Sequence, residues 1–482
     1  MSVKRANLAL SLVCLAGASV AATPPAEPVQ PFSVQDMVRM ERISDVAVAP
    51  DGKHVAYTQR TTDMEANKGR TSIWLLDTGK RSATALRLTD SGPNSNSPEW
   101  SKDGKFIYFL SNRSGTTQVW RVNSNGTGPR GDTPVADSTQ VTALPLDVGS
   151  FRVSPKGDRI LVSVEVFLDC ADLACTKSRL DGIAHSAATG VLRTQLFVRH
   201  WDTWSDGRRS QVFSMALNDN GVAQGTPVNL TGGIGDVPGK PFGGRDDYAF
   251  NPDGTAVAFS VRASAGEAWS TNFDVYTVAA DGGALPKNLT GDNKAWDGQP
   301  AFSPDGSQLA YIAMDRPGFE ADRFHLVLLN LQSGIKRALT QNWDRSINSF
   351  AWSRDGKTLF ATADHLGQRP LWSIDVATGR ASAITGAGEV EGFSVGTSKV
   401  FYTASNLGNP ADLFSVSFTG GKPTQWTRLN QAVMEQRKFG EYQQFSFPGW
   451  NNENVFGYVS IPNSWRRRHK PSDGFSVRMM YR

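Results

Sequence analysis

One short phrase recurs along the chain and limits its possible folds more than any other feature. In residues 302–311 it reads Phe-Ser-Pro-Asp-Gly-Ser-Gln-Leu-Ala-Tyr, which is an apolar residue, a tight turn and an alternating apolar segment. Asp-Gly suits such a turn because Gly accepts positive φ and the Asp side chain hydrogen-bonds the turn backbone. Five turns read Asp-Gly, with Gly52, Gly104, Gly254, Gly306 and Gly356, and a sixth reads Lys-Gly, with Gly157. Each phrase therefore predicts a β-hairpin.

The spacing of the phrases predicts a repeated four-stranded unit. Successive turn glycines lie 52, 53, 97, 52 and 50 residues apart, and a degenerate seventh phrase at 393–402 lacks the Asp-Gly. Each hairpin is followed by a third apolar segment, such as 118–122, and by a fourth that ends in Leu289-Thr290 or a similar pair. Four strands in about 50 residues, repeated, predict an all-β fold, a seven-bladed β-propeller over residues 43–430. An array of β-sandwiches would not repeat one phrase at a constant period.

The single long interval predicts an insertion in the third blade, near residues 165–200. The insertion contains Cys170 and Cys175, for which a local disulfide is favoured in an oxidising compartment and free thiols are the alternative. Two thiolates supply only two of the four ligands that a structural zinc site needs. No two of the six histidines have the spacing of metal ligands. We therefore expect no metal and no cofactor.

The N-terminus has the form of a secretory signal peptide. Lys4 and Arg5 precede an apolar stretch over residues 6–22 that ends in small residues. This predicts a signal peptide at 1–22, a linker with a short helix at 23–42, and a secreted or periplasmic bacterial protein. Beyond that segment no apolar run approaches about 18 residues, so we expect no membrane insertion of the mature protein.

The net charge of +4 is concentrated at the two ends of the chain. Between Arg466 and Arg482 there are five Arg, one Lys and one Asp, while Lys4 and Arg5 lie in the predicted signal peptide. The rest of the chain is slightly acidic. A basic surface for nucleic acid is therefore not expected.

The pattern changes where the repeats end. Residues 444–450 and 454–462 read as two strands of a new hairpin, whereas 464–482 has no periodicity and a sudden basic bias. We assign residues 431–463 to these strands and residues 464–482 to an aberrant basic tail.

The Asp-Gly phrases resemble the propeller repeats of the prolyl oligopeptidase family of serine peptidases, in particular its secreted bacterial dipeptidyl-peptidase and acylaminoacyl-peptidase branch. Three further segments are similar to that branch: the opening at 31–45, the insertion with its cysteines and residues 200–204, and the hairpin at 445–462. The resemblance covers residues 31 to about 463, nearly the whole predicted mature chain.

In that family the chemistry lies in a C-terminal α/β-hydrolase domain with an oxyanion motif and a G-x-S-x-G nucleophile elbow. The resemblance implies that 431–463 are the opening strands of such a domain, truncated here. The sudden change in composition suggests that the tail is an out-of-frame or misassembled end, and a genuine short form is the alternative. The literal G-x-S-x-G around Ser394 precedes a strand rather than a helix, so we read it as a blade strand. We therefore expect no catalytic residue in this chain and no activity from it alone.

The resemblance also implies what the propeller does. In the intact enzyme it would gate and bind short peptides, and it would hold their free amino group with carboxylates. Glu165, Asp169 and Asp172 in the insertion are the candidates for this binding, because carboxylates suit an ammonium ion. Solvated loop charges are the alternative for all three. A homodimer is left open for the intact enzyme.

Two other functions fit the repeats. A stand-alone periplasmic propeller of the TolB type would act as a protein-binding platform, although such a platform has no reason to carry the hairpin at 445–462 or the long insertion. A sugar-binding or glycosidase propeller would need an acid pair on one face.

Overall fold

The computed structural model describes residues 29–80, 84–90, 92–125, 138–194 and 196–461, together with the backbone of a strand at Val477–Met479. The predicted signal peptide at 1–22 lies outside the described residues, as does most of the tail at 464–482. Seven four-stranded sheets make up most of what is described. The predicted seven-bladed all-β propeller is confirmed.

Each blade consists of four antiparallel strands, consecutive in the chain except in blade three, where the insertion lies between the second and third strands. Before the first blade lie β1 (Gln30–Pro31) and α1 (Val34–Arg39). Blade one is β2 (Arg42–Val48), β3 (His54–Asp63), β4 (Lys68–Asp77) and β5 (Leu86–Arg87); blade two is β6 (Ser95–Trp100), β7 (Phe106–Ser111), β8 (Gln118–Asn123) and β9 (Thr139–Gln140). Blade three is β10 (Val148–Val153), β11 (Arg159–Val166), then α2 (Leu173–Ala184), β12 (Arg199–His200) and β13 (Thr203–Trp204) in the insertion, then β14 (Arg209–Leu217) and β15 (Ala223–Asn229).

The remaining four blades have no comparable insertion. Blade four is β16 (Tyr248–Phe250), β17 (Ala256–Val261), β18 (Asp274–Ala279) and β19 (Lys287–Asn288); blade five is β20 (Asp297–Phe302), β21 (Gln308–Ala313), β22 (His325–Asn330) and β23 (Lys336–Ala338). Blade six is β24 (Ile347–Trp352), β25 (Thr358–Ala363), β26 (Leu371–Asp375) and β27 (Ala381–Ala383); blade seven is β28 (Glu389–Val395), β29 (Lys399–Asn406), β30 (Asn409–Ser417) and β31 (Thr424–Gln425). After the blades come α3 (Gln431–Glu435), β32 (Arg437–Lys438), β33 (Glu441–Pro448), β34 (Asn454–Ile461) and β35 (Val477–Met479).

The recurring phrase folds as it does because its polar side chains satisfy the turn backbone. In blade two the Ser101 hydroxyl donates to Asp103 Oδ1 at 2.7 Å and accepts the Phe106 amide hydrogen at 2.9 Å. Asp103 Oδ1 also accepts the Lys105 amide hydrogen at 3.1 Å, around Gly104 with φ +72°. The same serine and aspartate contacts recur at Ser303, Asp305, Ser353 and Asp355. The turn is therefore set locally in each of these blades.

The apolar core lies between adjacent blades, and polar contacts between their inner strands support it. Ala56 and Ile73 of blade one pack with Ile107 and Phe109 of blade two, and none of these side chains is exposed. Burial on this scale is the main stabilising contribution in a propeller. The Trp352 indole N–H donates to the Ala301 carbonyl of the preceding blade at 3.1 Å.

Among the described residues, the ring closes between blades one and seven without a shared strand. Ile43 and Tyr57 of blade one pack against Phe401 and Leu413 of blade seven. We call this contact between blades one and seven the seam.

Residues just before the first blade and just after the last blade form hydrogen bonds with each other across the seam. Asn430 Oδ1 accepts the Glu41 amide hydrogen at 2.9 Å, and Asn430 Nδ2 donates to the Glu41 carbonyl at 2.9 Å. The Arg437 guanidinium lies 2.8 and 2.9 Å from the two carboxylate oxygens of Asp36. Its hydrogen bonds, with those of Ser33, hold the pKa of Asp36 well below its usual range. The first and last parts of the ring are thus joined by side chains.

The propeller has two distinct ends. The first strand of each blade runs toward the turn of its repeated phrase. The loops between second and third strands therefore lie at the opposite end, which we call the insertion face. The links that enter and leave the propeller lie there too. The hairpin of β33 and β34 contacts blade six on that face, where Gln444 Nε2 donates to the Leu366 carbonyl at 2.8 Å and Gln368 bonds Tyr458.

Candidate functional site

A cavity of about 830 Å³ opens on the insertion face between blades three and four. Its walls come from Glu165 at the end of β11, the second half of the insertion at 191–209, the link at 236–240 and the loop at 262–273. The volume lies within the range of sites that hold small ligands. The insertion therefore builds one wall of a ligand-sized site.

Four charged side chains form the open side of this cavity. Lys240 Nζ lies 2.7 Å from Glu165 Oε1, and Arg208 Nη2 lies 3.2 Å from Glu165 Oε2. Arg208 Nε also lies 2.7 Å from Asp206 Oδ2. Burial acts to raise the pKa of Asp206, but hydrogen bonds from Arg208 outweigh it and hold the pKa below its ordinary value. Because the Glu165 and Asp206 side chains are 39% and 43% exposed, both carboxylates can be reached from the cavity.

The closed side of the cavity is a nearly buried ion triad. Arg209 lies 2.8 Å from Asp236 Oδ2 and 2.6 Å from Glu267 Oε1. The hydrogen bond with Glu267 raises the pKa of Arg209 above its ordinary value, burial opposes this, and Asp236 reinforces it. Lys240 Nζ lies 3.6 Å from Asp236 Oδ1 and so joins this triad to the open side.

Together these seven side chains carry one surplus negative charge. The carboxylates are Asp206, Glu165, Asp236 and Glu267, and the cations are Arg208, Lys240 and Arg209. A network with one uncompensated carboxylate attracts one further cation, and an ammonium group can form charge-assisted hydrogen bonds to it.

Aromatic rings and two guanidinium groups also line the cavity. Arg193 Cζ lies 5.0 Å from the ring centroid of Trp204. Arg262 Cζ lies 5.8 Å from the Phe197 centroid and 5.2 Å from the Phe273 centroid. All five side chains line the cavity. Such stacking holds a guanidinium in place while leaving its edge free for hydrogen bonds.

A smaller apolar cavity of about 270 Å³ adjoins the first and shares Lys240 and Phe273 with it. Its wall includes Phe242, Trp296 and Phe324. The Phe273 and Trp296 rings stack with centroids 4.2 Å apart, and Phe324 meets Trp296 edge-on at 5.7 Å. This arrangement provides an apolar surface next to the charged one.

The structure separates the three carboxylates singled out by the sequence. Glu165 and Asp169 both line the large cavity. The Asp169 carboxylate, however, receives two hydrogen bonds from Arg179 at 2.8 and 2.9 Å, and these lower its pKa. Asp172 is the N-cap of α2, where its side chain accepts the Cys175 amide hydrogen at 2.8 Å, and it does not line the cavity.

Cys170 and Cys175 are joined by a disulfide in the structure. The bond closes the loop that leads into α2, and Asp172 lies within that loop. The first part of the insertion is therefore a constrained structural element.

Sequence reasoning did not find Asp206, Lys240 or Glu267. Asp206 lies just before β14, where the run Asp-Gly-Arg-Arg at 206–209 marks the end of the insertion. Lys240 and Glu267 come from other parts of the chain, and Glu267 is 58 residues from its partner Arg209. Only the packing of blade three against blade four brings them together.

Ser394 lies in β28, and its hydroxyl accepts the Val48 amide hydrogen at 3.1 Å. The prediction that this G-x-S-x-G segment is a blade strand is confirmed. It contributes to the seam between blades seven and one.

Two kinds of feature are absent from the described part of the chain. No three His, Cys, Asp or Glu side chains in that part of the chain lie together so as to hold a metal ion. None of the helices described there has both the length and the apolar character needed to cross a membrane.

Comparison with known proteins gives sequence relatives over most of the chain. Residues 25–175 match the family model of the lipoprotein LpqB β-propeller domain. Dipeptidyl-peptidase 5 of Porphyromonas gingivalis is 28% identical over 437 residues, covering 89% of this chain and 60% of the relative. Dipeptidyl-peptidase 5 of Aspergillus fumigatus is 25% identical over 502 residues, covering 96% of this chain and 64% of the relative.

Solved structures show the same fold. The acylaminoacyl peptidase of Pyrococcus horikoshii aligns with a TM-score of 0.66 at 15% identity, over 90% of this chain and 60% of that chain. The chain matches the propeller part of the prolyl oligopeptidase family. The propeller domain of the Trilobed protease from Pyrococcus furiosus, described as having an open velcro topology, aligns at 0.53 and 13% identity, over 82% of this chain and 98% of that one.

The chain spans somewhat under two thirds of the length of the dipeptidyl-peptidases it matches. The link to peptidases is therefore a property of the shared propeller and its flanking segments.

Proposed function

We propose that this chain is the propeller portion of a secreted serine exopeptidase, of the dipeptidyl-peptidase or acylaminoacyl-peptidase kind, and that its large cavity binds the amino end of short peptides. The observation that carries the proposal is the surplus negative charge among seven linked side chains in a cavity of about 830 Å³. A free peptide ammonium is the cation that would complete this network.

The position of the cavity supports a role beside a hydrolase domain. The cavity opens on the insertion face, and the β33–β34 hairpin lies on that same face against blade six. We propose that this hairpin forms the opening strands of a hydrolase domain whose serine, histidine and aspartate cleave the peptide. A peptide held by its amino end in the cavity would then extend toward that domain, and the ring would limit access to short chains.

Glu165 is the side chain through which the proposal is tested. Of the four carboxylates, Asp236 and Glu267 are only 9% exposed and bound by Arg209, whereas Glu165 is open to the cavity. We expect Glu165 to exchange part of its contact with Lys240 for a contact with the incoming ammonium.

The test is calorimetric titration of the chain with Ala-Ala-Ala and with its N-acetylated counterpart. The free peptide should bind, and Glu165→Gln should weaken it about tenfold, the effect of losing one charge-assisted hydrogen bond. The acetylated peptide should bind weakly to both proteins. Asp181→Asn is the matched control, because Asp181 is also paired with a lysine, Lys177, but lies on α2 outside the cavity.

Equal binding of the free and acetylated peptides would contradict the proposal. So would a Glu165→Gln variant that binds the free peptide as the unaltered protein does.

A further inference from the structure

Two cations of the large cavity have no carboxylate partner. Among the described residues no Asp or Glu oxygen lies within 4.0 Å of Arg193 or Arg262, whereas Arg208, Arg209 and Lys240 of the same cavity are all in ion pairs. Arg262 Nη1 donates to the Ser270 carbonyl at 3.3 Å, and Arg193 Nη1 donates to the Ser205 carbonyl. Since a guanidinium has five N–H donors, most of their donors are unused by these bonds.

Both guanidinium groups lie over aromatic rings. Arg193 lies over Trp204, and Arg262 lies over Phe197 and Phe273. Both arginines are half-buried, and Phe273 is only 5% exposed. A positioned cation in a cavity, without a counter-charge, favours an anionic ligand group, and a planar guanidinium favours a carboxylate.

The lining of the cavity therefore includes groups of both signs. The ion network of Glu165 and Asp206 has a surplus carboxylate, whereas Arg193 and Arg262 have no carboxylate partner among the described residues. A ligand that satisfies both sets of groups carries an ammonium group and a carboxylate on one small molecule.

We propose that Arg193 and Arg262 form a carboxylate-binding subsite, and that the preferred ligands are short peptides with a free amino end and an acidic group within a residue or two of it. The proposal rests on the proposed peptide binding and adds the class of peptide. The acidic group can be a Glu side chain or the terminal carboxylate of a dipeptide, and both present the same chemistry to the guanidinium groups.

Four dipeptides separate these sources. Ala-Glu-amide against Ala-Gln-amide changes only the side-chain charge, and Ala-Gln against Ala-Gln-amide changes only the terminal charge. N-acetyl-Ala-Glu-amide serves as the fourth ligand, because it lacks the ammonium. At low salt we expect at least one acidic ligand to bind about tenfold more tightly than its neutral counterpart, with the preference falling as salt is added.

The variants are Arg193→Gln and Arg262→Gln, with Arg199→Gln as the matched control. Arg199 lies in the same insertion and is stacked on the same Trp204 ring, at 5.7 Å, but it does not line the cavity. The cavity variants should reduce the preference for the acidic peptide to less than threefold, and the control should keep it. Arg262→Lys, which retains the charge and loses the planar fork, should give an intermediate preference.

The outcomes distinguish the two proposals. If Ala-Gln-amide and the acidic peptides bind equally well in every protein, the carboxylate subsite is wrong while peptide binding stands. If none of the free peptides binds the unaltered chain, the proposed peptide binding itself is wrong. A loss of preference in the Arg199→Gln control, equal to that in the cavity variants, would also overturn the subsite.

Discussion

Asp297 shows, at the scale of one residue, how a blade can bury an acid. Its side chain is 1% exposed, and Asn293 Nδ2 donates to its Oδ1 at 3.0 Å. Its Oδ2 has no hydrogen-bond partner within the described residues. Burial raises the pKa of Asp297 to about 7, although hydrogen bonds from Asn293 and Thr290 act to lower it. The folded protein therefore holds a proton that the unfolded chain releases near pH 3.8, the ordinary pKa of an Asp side chain.

This shift predicts a loss of stability as the pH rises. Because the folded-state pKa lies above the unfolded value, the contribution of Asp297 is greatest below about pH 4 and is lost by about pH 7 to 8. Asp297→Asn should flatten this fall, so that the variant is the more stable protein at about pH 8.5. Urea unfolding at several pH values measures this, with exposed Asp219→Asn as the control. A variant whose stability falls with pH as steeply as that of the unaltered protein would refute the assignment.

The candidate site shows where single residues could and could not be read from sequence. The long interval between phrases located the insertion, and with it Glu165 and Asp169. Asp172 caps α2, and α2 itself could not be predicted from sequence because it belongs to no repeat and has no strong amphipathic pattern. The three-dimensional neighbours of Glu165, such as Lys240, are contributed by a link between blades, and no local pattern relates them.

At the scale of elements, the blades were predictable because their turns are determined locally. Ser101 and Asp103 satisfy the turn backbone within five residues of each other and of their partners, so the phrase is sufficient to predict the hairpin. Contacts between blades could not be predicted from the phrase. Trp352 bonds the preceding blade, whereas the Trp120 indole nitrogen is buried without a partner in the described residues.

This difference between two tryptophans gives a prediction for blade packing. Trp352→Phe should lower the free energy of unfolding by about 1 kcal/mol more than Trp120→Phe, because only Trp352 loses a hydrogen bond to a carbonyl. Both changes remove similar ring area. Urea unfolding of the two variants measures the difference. Equal destabilisation would show that the bond between Trp352 and Ala301 contributes nothing.

At the scale of the whole molecule, the ring depends on its seam. In the part of the chain that the structure describes, blades one and seven share no strand, and apolar packing and side-chain hydrogen bonds join them. Asn430 is 5% exposed and bonds both backbone groups of Glu41. The seven-bladed count followed from the repeats, but this mode of closure did not, because it relies on residues outside the repeated phrase.

Removal of the Asn430 side chain should weaken the seam specifically. Asn430→Ala leaves the Glu41 N–H and carbonyl unpaired, so we expect a loss of about 2–4 kcal/mol in the free energy of unfolding. Hydrogen exchange should become faster in β2 and β28 before it does in blade four. Exposed Asn409→Ala is the control. If hydrogen exchange becomes faster to the same extent in all blades, the seam does not open separately from the rest of the ring.

The central claim is that the cavity between blades three and four binds the amino end of short peptides. The most direct measurement is photocrosslinking with a tripeptide that has a free amino end and a benzoylphenylalanine at its second position, followed by mass spectrometry of the labelled segments. We expect labels in residues 191–209 and 236–273. Added Ala-Ala-Ala should reduce this labelling, and the Glu165→Gln variant should lose it. Labels confined to the end with the Asp-Gly turns, or labelling that the free peptide does not compete away, would contradict it.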